Sequence, residues 1–424
     1  MLSPAFAHAL LMLIVAVSIL LMLIRPRDTA EVLWIGAGVL LLLGFRLVTF
    51  RLVGKAAEKG MDVYLFLIGM MLLSELAREN GVFDWLAATA VRRADRSRSR
   101  LFFLVYVAGT IVTIFMSNDA TAVVLTPAIL ATIRKAEIKP LSYLFVCAFI
   151  ANAASFVLPI SNPANLVVFH NQMPPLGRWL AMFGVPSVFS IMATFFVLNW
   201  IFRLELSGPI GHVDPHPLDQ HGKLGLAGLA ATTCVLLAAS GFNLDLGLPT
   251  CLTALAVTAV VALKTRRSPL PLFREISWST LALVAGLFVM VDALNSVGAL
   301  SRTQEWLIWA ESLGRASGAL VIGFVVAVAN NLVNNLPLGL IAGGALQQAH
   351  ASRLIASVAM IGVDLGPNLS ITGSLATILW LIALRREKLN VSFWSFLKVG
   401  AIAMPIALLF SLGSAIAMQW ATGR

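Results

Sequence analysis

Four carboxamides, Asn330, Asn331, Asn334 and Asn335, stand together as NNLVNN inside SGALVIGFVVAVANNLVNNLPLGLIAGGAL, a stretch otherwise apolar and uncharged. A second polar cluster, Met116-Ser117-Asn118-Asp119, interrupts another apolar stretch, and two more polar breaks read PISNPANL (Pro159–Leu166) and GVDLGPNLSITGS (Gly362–Ser374). Each asparagine side chain offers one acceptor and two donors without net charge. Converging at the breaks with freed backbone carbonyls, Asn118, Asn334, Asn335, Asn162 and Asn165 would make a neutral hydrogen-bonding site, with Thr372 and Ser374 adding hydroxyls. Such a site suits a small hydroxyl-bearing solute, although asparagine and backbone carbonyls also bind sodium. The bland alternative is that the asparagines bridge helices in a dry bundle, where each contact contributes about 0.6 kcal/mol.

The same breaks carry ionisable groups. Asp119 and Asp364 are the carboxylates placed to carry a proton, with Glu75 and Asp292 as further candidates, for which capping or scaffold pairing near a span end is the competing role. Intramembrane carboxylates are functional by default, and apolar surroundings let a carboxyl group hold its proton closer to neutral pH.

These residues must be positioned by membrane-spanning helices. Of 424 residues, 59% are hydrophobic and 12% charged, against about 25% charged in a typical soluble domain. Apolar runs of roughly 20 residues recur along the chain, each long enough to cross a hydrocarbon core and too continuous for a transmembrane barrel. The run Pro4–Ile24 lacks a basic leader and a small-residue cleavage site and is expected to be a retained first span. The net charge of +10 sits in short loops between apolar runs, a topology signal and not a nucleic-acid face. Cys147, Cys234 and Cys251 lie in apolar runs without paired spacing, as small packing residues do, with thiolate ligation of a soft ion as the alternative.

Arg92, Arg93, Arg96, Arg98 and Arg100 form one basic loop, and Arg134, Lys135 and Lys139 the next, so both are expected in the cytoplasm. The 33 residues between them, Leu101 to Ile133, would measure about 50 Å as one helix, too long for a core of about 30 Å. A hairpin over 101–133, turning at Met116–Asp119, resolves both facts. Residues 316–349 are expected to form a second hairpin from the opposite side, turning near Asn334-Asn335. Non-helical backbone at membrane depth is tolerated only inside protein or against a water-filled cavity.

The expected fold is an all-α polytopic membrane protein with about ten transmembrane helices and two re-entrant hairpins. It divides into a first repeat (1–202), a central loop (203–222) and a second repeat (223–424). Gly69, Glu75 and Gly81 reappear in spacing as Gly286, Asp292 and Gly298, 217 residues later, and SNDATAVVLT matches VNNLPLGLIA at an offset of 216. An odd number of spans per half would invert one repeat against the other, a transporter design with a midplane site. The central HVDPHPLDQH, with His212, Asp214, His216, Asp219 and His221, reads as a solvated linker, with divalent-metal binding as the alternative. The Gly314–Gly318 stretch GRASG resembles a protease serine motif, yet no histidine sits at matching depth in a span, so an intramembrane hydrolase is the weakest reading.

On MSNDATAVVLTPAI (Met116–Ile129), VNNLPLGLIAGGAL (Val333–Leu346) and IGVDLGPNLSITGSLATILW (Ile361–Trp380), the chain resembles the arsenite/antimonite efflux permeases, the membrane subunits of arsenical pumps within the ion transporter superfamily. DLGP followed by GSLAT is the most specific stretch, and the order of elements agrees over nearly the whole chain. The resemblance implies an inner-membrane carrier exporting trivalent arsenic and antimony against protons, with no cofactor. Some relatives dock a soluble ATPase, which is thereby implied as a candidate partner, and the chain has no G-x-x-x-x-G-K-[ST] loop of its own. Leu338 stands where the family often has Thr, and Asn152 where some members have an acidic residue, so fine preference or coupling differs here. Arsenite at neutral pH is mostly an uncharged trihydroxide, which neutral carboxamides suit. One proton entering per solute exported would supply about 2.3 kcal/mol per 100 mV, enough for a gradient of roughly fiftyfold. Another sodium- or proton-coupled carrier of a small solute or anion is the alternative; an anion site would favour a basic residue at the tips, and neither tip has one.

If the first hairpin is re-entrant, single cysteines at positions 95 and 137 are both labelled by an impermeant thiol reagent from the cytoplasmic side only. Labelling from opposite sides would make 101–133 a full span and remove the case for inversion.

Overall fold

The computed structural model describes residues 3–26, 29–169, 173–211 and 218–422. The first half holds α1 (Pro4–Ile24), α2 (Glu31–Gly44), α3 (Phe50–Lys59), α4 (Met61–Glu79), α5 (Val82–Arg93), α6 (Arg98–Phe115), α7 (Thr126–Lys135), α8 (Leu141–Ala153), α9 (Pro163–Phe169) and α10 (Leu176–Phe202). The second holds α11 (Gln220–Gly241), α12 (Gly247–Thr265), α13 (Leu270–Glu275), α14 (Trp278–Ser296), α15 (Ala299–Ser312), α16 (Arg315–Val333), α17 (Asn335–Gln348), α18 (Arg353–Leu365), α19 (Leu375–Arg386) and α20 (Phe393–Thr422). Among the described residues there is no strand, only one isolated antiparallel bridge between Ser97 and Pro209.

Sequence sets the helix starts. Ser97, Ser352 and Ser374 each accept a bond from a first-turn backbone N–H, to Arg100, Ile355 and Thr377 respectively, which satisfies a donor the helix itself leaves orphaned. Among the described residues, eight helices are long and apolar enough to cross a membrane, or nine if α3 and α4, bent by 50° at Gly60, form one span. Two of the eight, α6 and α16, are the entering arms of the expected hairpins; of the ten expected spans, α2 has only 14 residues, and α8 and α18 stop at polar breaks after 13 residues each. Outward-facing Leu13, Leu40, Val188, Phe196, Leu263 and Phe410 are exposed, as a lipid-facing belt requires.

The chain folds back at the first tip. Gly109 and Thr121 would stand about 18 Å apart along a continuous helix. Instead a Cβ on Gly109 would touch the Thr121 side chain, and Thr121 Oγ1 lies 2.8 Å from Thr113 Oγ1. A six-residue π-helical segment, Ala120–Leu125, begins just past the Met116–Asp119 break. The second break is a single residue, Asn334, between α16 and α17, held at φ 77° and ψ 154°. Non-glycine residues rarely adopt that conformation, which costs on the order of 1–3 kcal/mol and survives only where surroundings enforce it.

α4 and α14 correspond in length and in packing. Met61–Glu79 and Trp278–Ser296 each have 19 residues and begin 217 positions apart. Contacts match too: α4 packs on α12, and their counterparts α14 and α2 pack on each other. Glycine permits the closest approaches. A Cβ on Gly69 of α4 would lie 2.8 Å from the Thr250 backbone of α12, and one on Gly366 only 2.5 Å from the Ala327 carbonyl oxygen of α16. Gly362 likewise faces the Gly323 carbonyl. Gly366→Ala should therefore push the end of α18 off α16, lowering stability by about 1–3 kcal/mol. Thermal unfolding of the purified protein in detergent checks this, and an unchanged midpoint would mean the contact is slack.

Candidate functional site

Proline and glycine create the two breaks that build the site. Between α8 and α9 the chain leaves the helix at Ala154 and makes a 3-10 turn at Pro159–Ser161; between α18 and α19 it makes two, Gly366–Asn368 and Ile371–Gly373. Each break frees backbone groups, and in both cases asparagine side chains meet them. Asn165 Nδ2 donates to the carbonyls of Ser155 and Leu158 at 2.9 and 3.2 Å. Asn331 Nδ2 donates to the Gly366 carbonyl at 3.1 Å, while Asn331 Oδ1 accepts from Ser370 at 2.7 Å.

The two breaks also hold each other. Asp364, fully buried in the last turn of α18, accepts from Ser155 Oγ at 2.7 Å and from Asn162 Nδ2 at 2.8 Å, both from the first break. Asn152, fully buried in the last turn of α8, takes its partners from the second break in return. It donates to Asn368 Oδ1 at 3.0 Å and to Thr377 Oγ1 at 3.3 Å, and accepts from Ser374 Oγ at 3.3 Å. Asn152 and Asp364 are each the twelfth residue of a 13-residue helix. They are counterparts at an offset of 212, and one is neutral while the other is acidic.

The hairpins dock on the breaks. Ser161 Oγ donates to the Ile114 carbonyl at 2.9 Å, joining the first break to the end of α6. Asn330 Nδ2 donates to the Val363 carbonyl, Thr372 Oγ1 to the Asn331 carbonyl at 2.9 Å, and Asn334 Nδ2 to the Thr372 carbonyl at 3.3 Å. The first tip is quieter: Ser117 Oγ and Asn118 Oδ1 accept from the backbone N–H of Ala120 and Asp119. Asn118 is buried, and Asp119 is half-buried beside it. Among the described residues, no hydrogen bond or ion pair engages the Asp119 carboxylate.

Among the described residues, three buried asparagine oxygens are left without a donor: Asn165 Oδ1, Asn330 Oδ1 and Asn335 Oδ1. For Asn165 and Asn330 the amide orientation is fixed by the carbonyls their nitrogens serve, so the orphaned atom is an oxygen. An orphaned buried acceptor costs about 1–3 kcal/mol, so such a group calls for water or a ligand with hydrogen to give. Among the described residues, the hydrogen-bond partners within the cluster are carboxamides, hydroxyls, backbone carbonyls and Asp364, with no lysine or arginine among them.

The sequence-predicted residues thus separate. Asn162, Asn165, Asn334, Thr372, Ser374 and Asp364 lie within the network of the two breaks; Asn335 starts α17 beside it; Asn118 and Asp119 form the other hairpin tip. Glu75 and Asp292 lie outside the network, in ion pairs with Arg78 and with Lys59, the latter at 2.6 Å. Asp292 and Lys59 border a cavity of about 320 Å³ whose far wall is Val167–Phe169 of α9 and Leu340 of α17, the helices that carry Asn165 and Asn335. Asp219 caps α11 through the Gly222 N–H at 2.6 Å, whereas His212, Asp214 and His216 lie outside the described residues. Cys147 is buried, Cys251 half-buried and Cys234 exposed, all unpaired. Sequence reasoning missed Ser155, Asn368, Ser370 and Thr377, and saw Asn152 only as a departure. A readable signal was the change of offset from 217 to 212 after the hairpins, which aligns Asn152 with Asp364.

Asn152→Ala would remove one side of the reciprocal clasp and take the donor from Asn368 Oδ1, costing about 1–3 kcal/mol. Asn152→Asp keeps the shape but adds a second carboxylate near Asp364. If the clasp is as described, thermal unfolding in detergent drops for the alanine variant and becomes pH-dependent for the aspartate variant.

Residues 7–363 match the family described as citrate transporter. The chain is similar to the arsenical pump membrane protein of Escherichia coli K12, with 28% identity over 376 residues, covering 83% of this chain and 85% of the relative. It is also similar to the arsenical pump membrane protein of Yersinia enterocolitica, at 26% over 374 residues with the same coverage. Its fold is similar to that in the crystal structure of the Alcanivorax borkumensis YdaH transporter, with a TM-score of 0.61, 16% identity, and 90% and 89% of the two chains covered. Two broken helices clasping each other inside an apolar bundle and a family match over most of the chain lead to one conclusion: this is a multi-pass, non-enzymatic secondary transporter belonging to the citrate transporter family.

Proposed function

We propose that the protein exports arsenite and antimonite from the cytoplasm in exchange for protons, binding them where the hairpin tips meet the helix breaks. The observation that carries this reading is the set of orphaned acceptors, Asn165, Asn330 and Asn335, in a cluster without a cationic side chain. An uncharged trihydroxide brings three O–H donors and needs no counter-charge. Similarity to proteins named as arsenical pumps supports the same substrate. The common order of helices, with α4–α6 and α14–α16 beginning 217 positions apart, supports two repeats inverted across an inner membrane, with the site at mid-depth. A soluble ATPase, if one docks, would meet the basic loops at 92–100 and 134–139.

The two candidate proton carriers have different surroundings. Both oxygens of Asp364 already accept hydrogen bonds from the opposite half, so this carboxylate is a structural link as much as an ionisable group. Asp119 sits at a hairpin tip with no partner recorded for its carboxylate among the described residues, so its proton can leave without breaking the clasp. Asp119 is therefore the first choice as carrier, with Asp364, Glu75 and Asp292 behind it. The family description favours a second reading, an anion carrier, and asparagine-rich breaks would also suit sodium coupling. The missing cation weighs against the anion.

Everted vesicles test these readings. Arsenite accumulation that collapses with a protonophore supports proton exchange; vesicles that ignore arsenite but carry citrate or another carboxylate would replace the assignment. Asn335→Ala should raise the half-saturating arsenite concentration about tenfold, the loss of one hydrogen bond of about 1–1.5 kcal/mol. Asp119→Asn should keep passive arsenite exchange and lose uphill accumulation, whereas Asp364→Asn should weaken both by loosening the clasp. Uphill transport retained in both aspartate variants would remove the proton argument.

A further inference from the structure

At the opposite end of α10 from the basic loops lies a second cavity, of about 490 Å³, formed where the starts of α10 and α18 meet the end of α20. The ends of α10 are distinguished by their neighbours. Past its C-terminus, Ile210 N–H donates to the Arg96 carbonyl and Arg98 bonds the Pro209 carbonyl, so that end lies with the basic loops. The 27 residues of α10 place its start about 40 Å away.

Two arginines, Arg178 of α10 and Arg353 of α18, line this cavity, and among the described residues no carboxylate does. Both side chains are exposed, and among the described residues neither is in an ion pair. Asp245 borders a neighbouring cavity that Arg178 also reaches, without an ion pair between them. The remaining wall is largely apolar, with Met182, Leu354 and Ala415. Outside it, α10 continues as an exposed apolar surface through Leu180, Val188, Met192 and Phe196. Two guanidinium groups at the end of a spanning helix, above an apolar groove, match a ligand that is anionic at its head and hydrocarbon below.

We propose that this cavity binds the phosphate headgroup of an anionic phospholipid, with Arg178 and Arg353 gripping the phosphate and the acyl chains lying along the exposed face of α10. The site is separate from the asparagine cluster. It is charge-selective, because only an anionic headgroup compensates two unpaired cations; a zwitterionic lipid brings its own. A guanidinium also suits a phosphate diester in geometry, offering paired donors to two oxygens.

The test uses the full chain purified in mild detergent. Co-purifying phosphatidylglycerol and phosphatidylethanolamine are quantified by mass spectrometry, and the unfolding midpoint is measured with added phosphatidylglycerol, phosphatidylethanolamine or inorganic phosphate. Wild type should retain phosphatidylglycerol preferentially and gain stability from it alone. Each of Arg178→Gln and Arg353→Gln should weaken phosphatidylglycerol binding about fivefold, and the double variant more, since one basic side chain at a membrane surface contributes about 1 kcal/mol. Arg92→Gln, an exposed arginine at the other end, should leave it unchanged. Equal stabilisation by phosphatidylethanolamine, or by inorganic phosphate, overturns the proposal, as does a double variant that binds phosphatidylglycerol as wild type does. Variants that fail to fold are replaced by lysine substitutions, which keep charge but lose the paired donors and should show an intermediate affinity; unchanged affinity there contradicts the guanidinium geometry.

Discussion

A polar group inside a hydrocarbon slab has no water to fall back on, and this structure is organised around that constraint. Two helices, α8–α9 and α18–α19, are broken where the chain is buried deepest, and each break exposes backbone that must be satisfied by protein. The halves solve the problem reciprocally: Asp364 of the second half takes hydrogen bonds from the first break, and Asn152 of the first half serves the second. Remove either side and the other is left with unpaired buried groups, so the clasp couples the two broken helices energetically. It also leaves a polar interior where a solute can be held.

Close packing serves the same end. Gly362 and Gly366 flank Asp364, and both meet backbone of α16, at Gly323 and Ala327. That approach brings Asn330 and Asn331 within reach of the Val363 and Gly366 carbonyls, so the hairpin is anchored by side chains that larger residues at 362 and 366 would hold away. The energy spent holding Asn334 at a positive φ has a return in this arrangement. Its conformation turns the chain between α16 and α17 within one residue and aims the side chain at the Thr372 carbonyl. The first tip is made differently, with a π-helical segment after Asp119, so the two halves are alike in plan and unlike in detail.

Much of this was legible in the residues. Apolar run length gave the helical bundle, a 33-residue stretch too long for one span and charged only at Asp119 gave the first hairpin, and Pro and Gly marked both breaks to within a few residues. The polar residues at the breaks were legible because hydrocarbon makes them expensive. What could not be read was partnership. Hydrogen bonds such as Ser155 to Asp364 join residues 209 positions apart, and hydroxyls on apolar helices are individually unremarkable. Glu75 and Asp292 drew notice for their spacing, yet their ion partners, one three residues away and one 233 residues away, follow different local logics. The offset change from 217 to 212 hid the equivalence of Asn152 and Asp364, because α18 starts 38 positions after α16 whereas α8 starts 43 positions after α6.

The central claim is that a neutral cluster of carboxamides and hydroxyls, and no thiolate, holds the transported metalloid. X-ray absorption at the arsenic edge, on arsenite bound to the purified protein, measures the atoms around arsenic directly. The account predicts an all-oxygen shell that persists when Cys147, Cys234 and Cys251 are all replaced by serine. Sulfur in the first shell, lost in that triple variant, would put arsenic on the cysteines and contradict the reading of the asparagine cluster as the site.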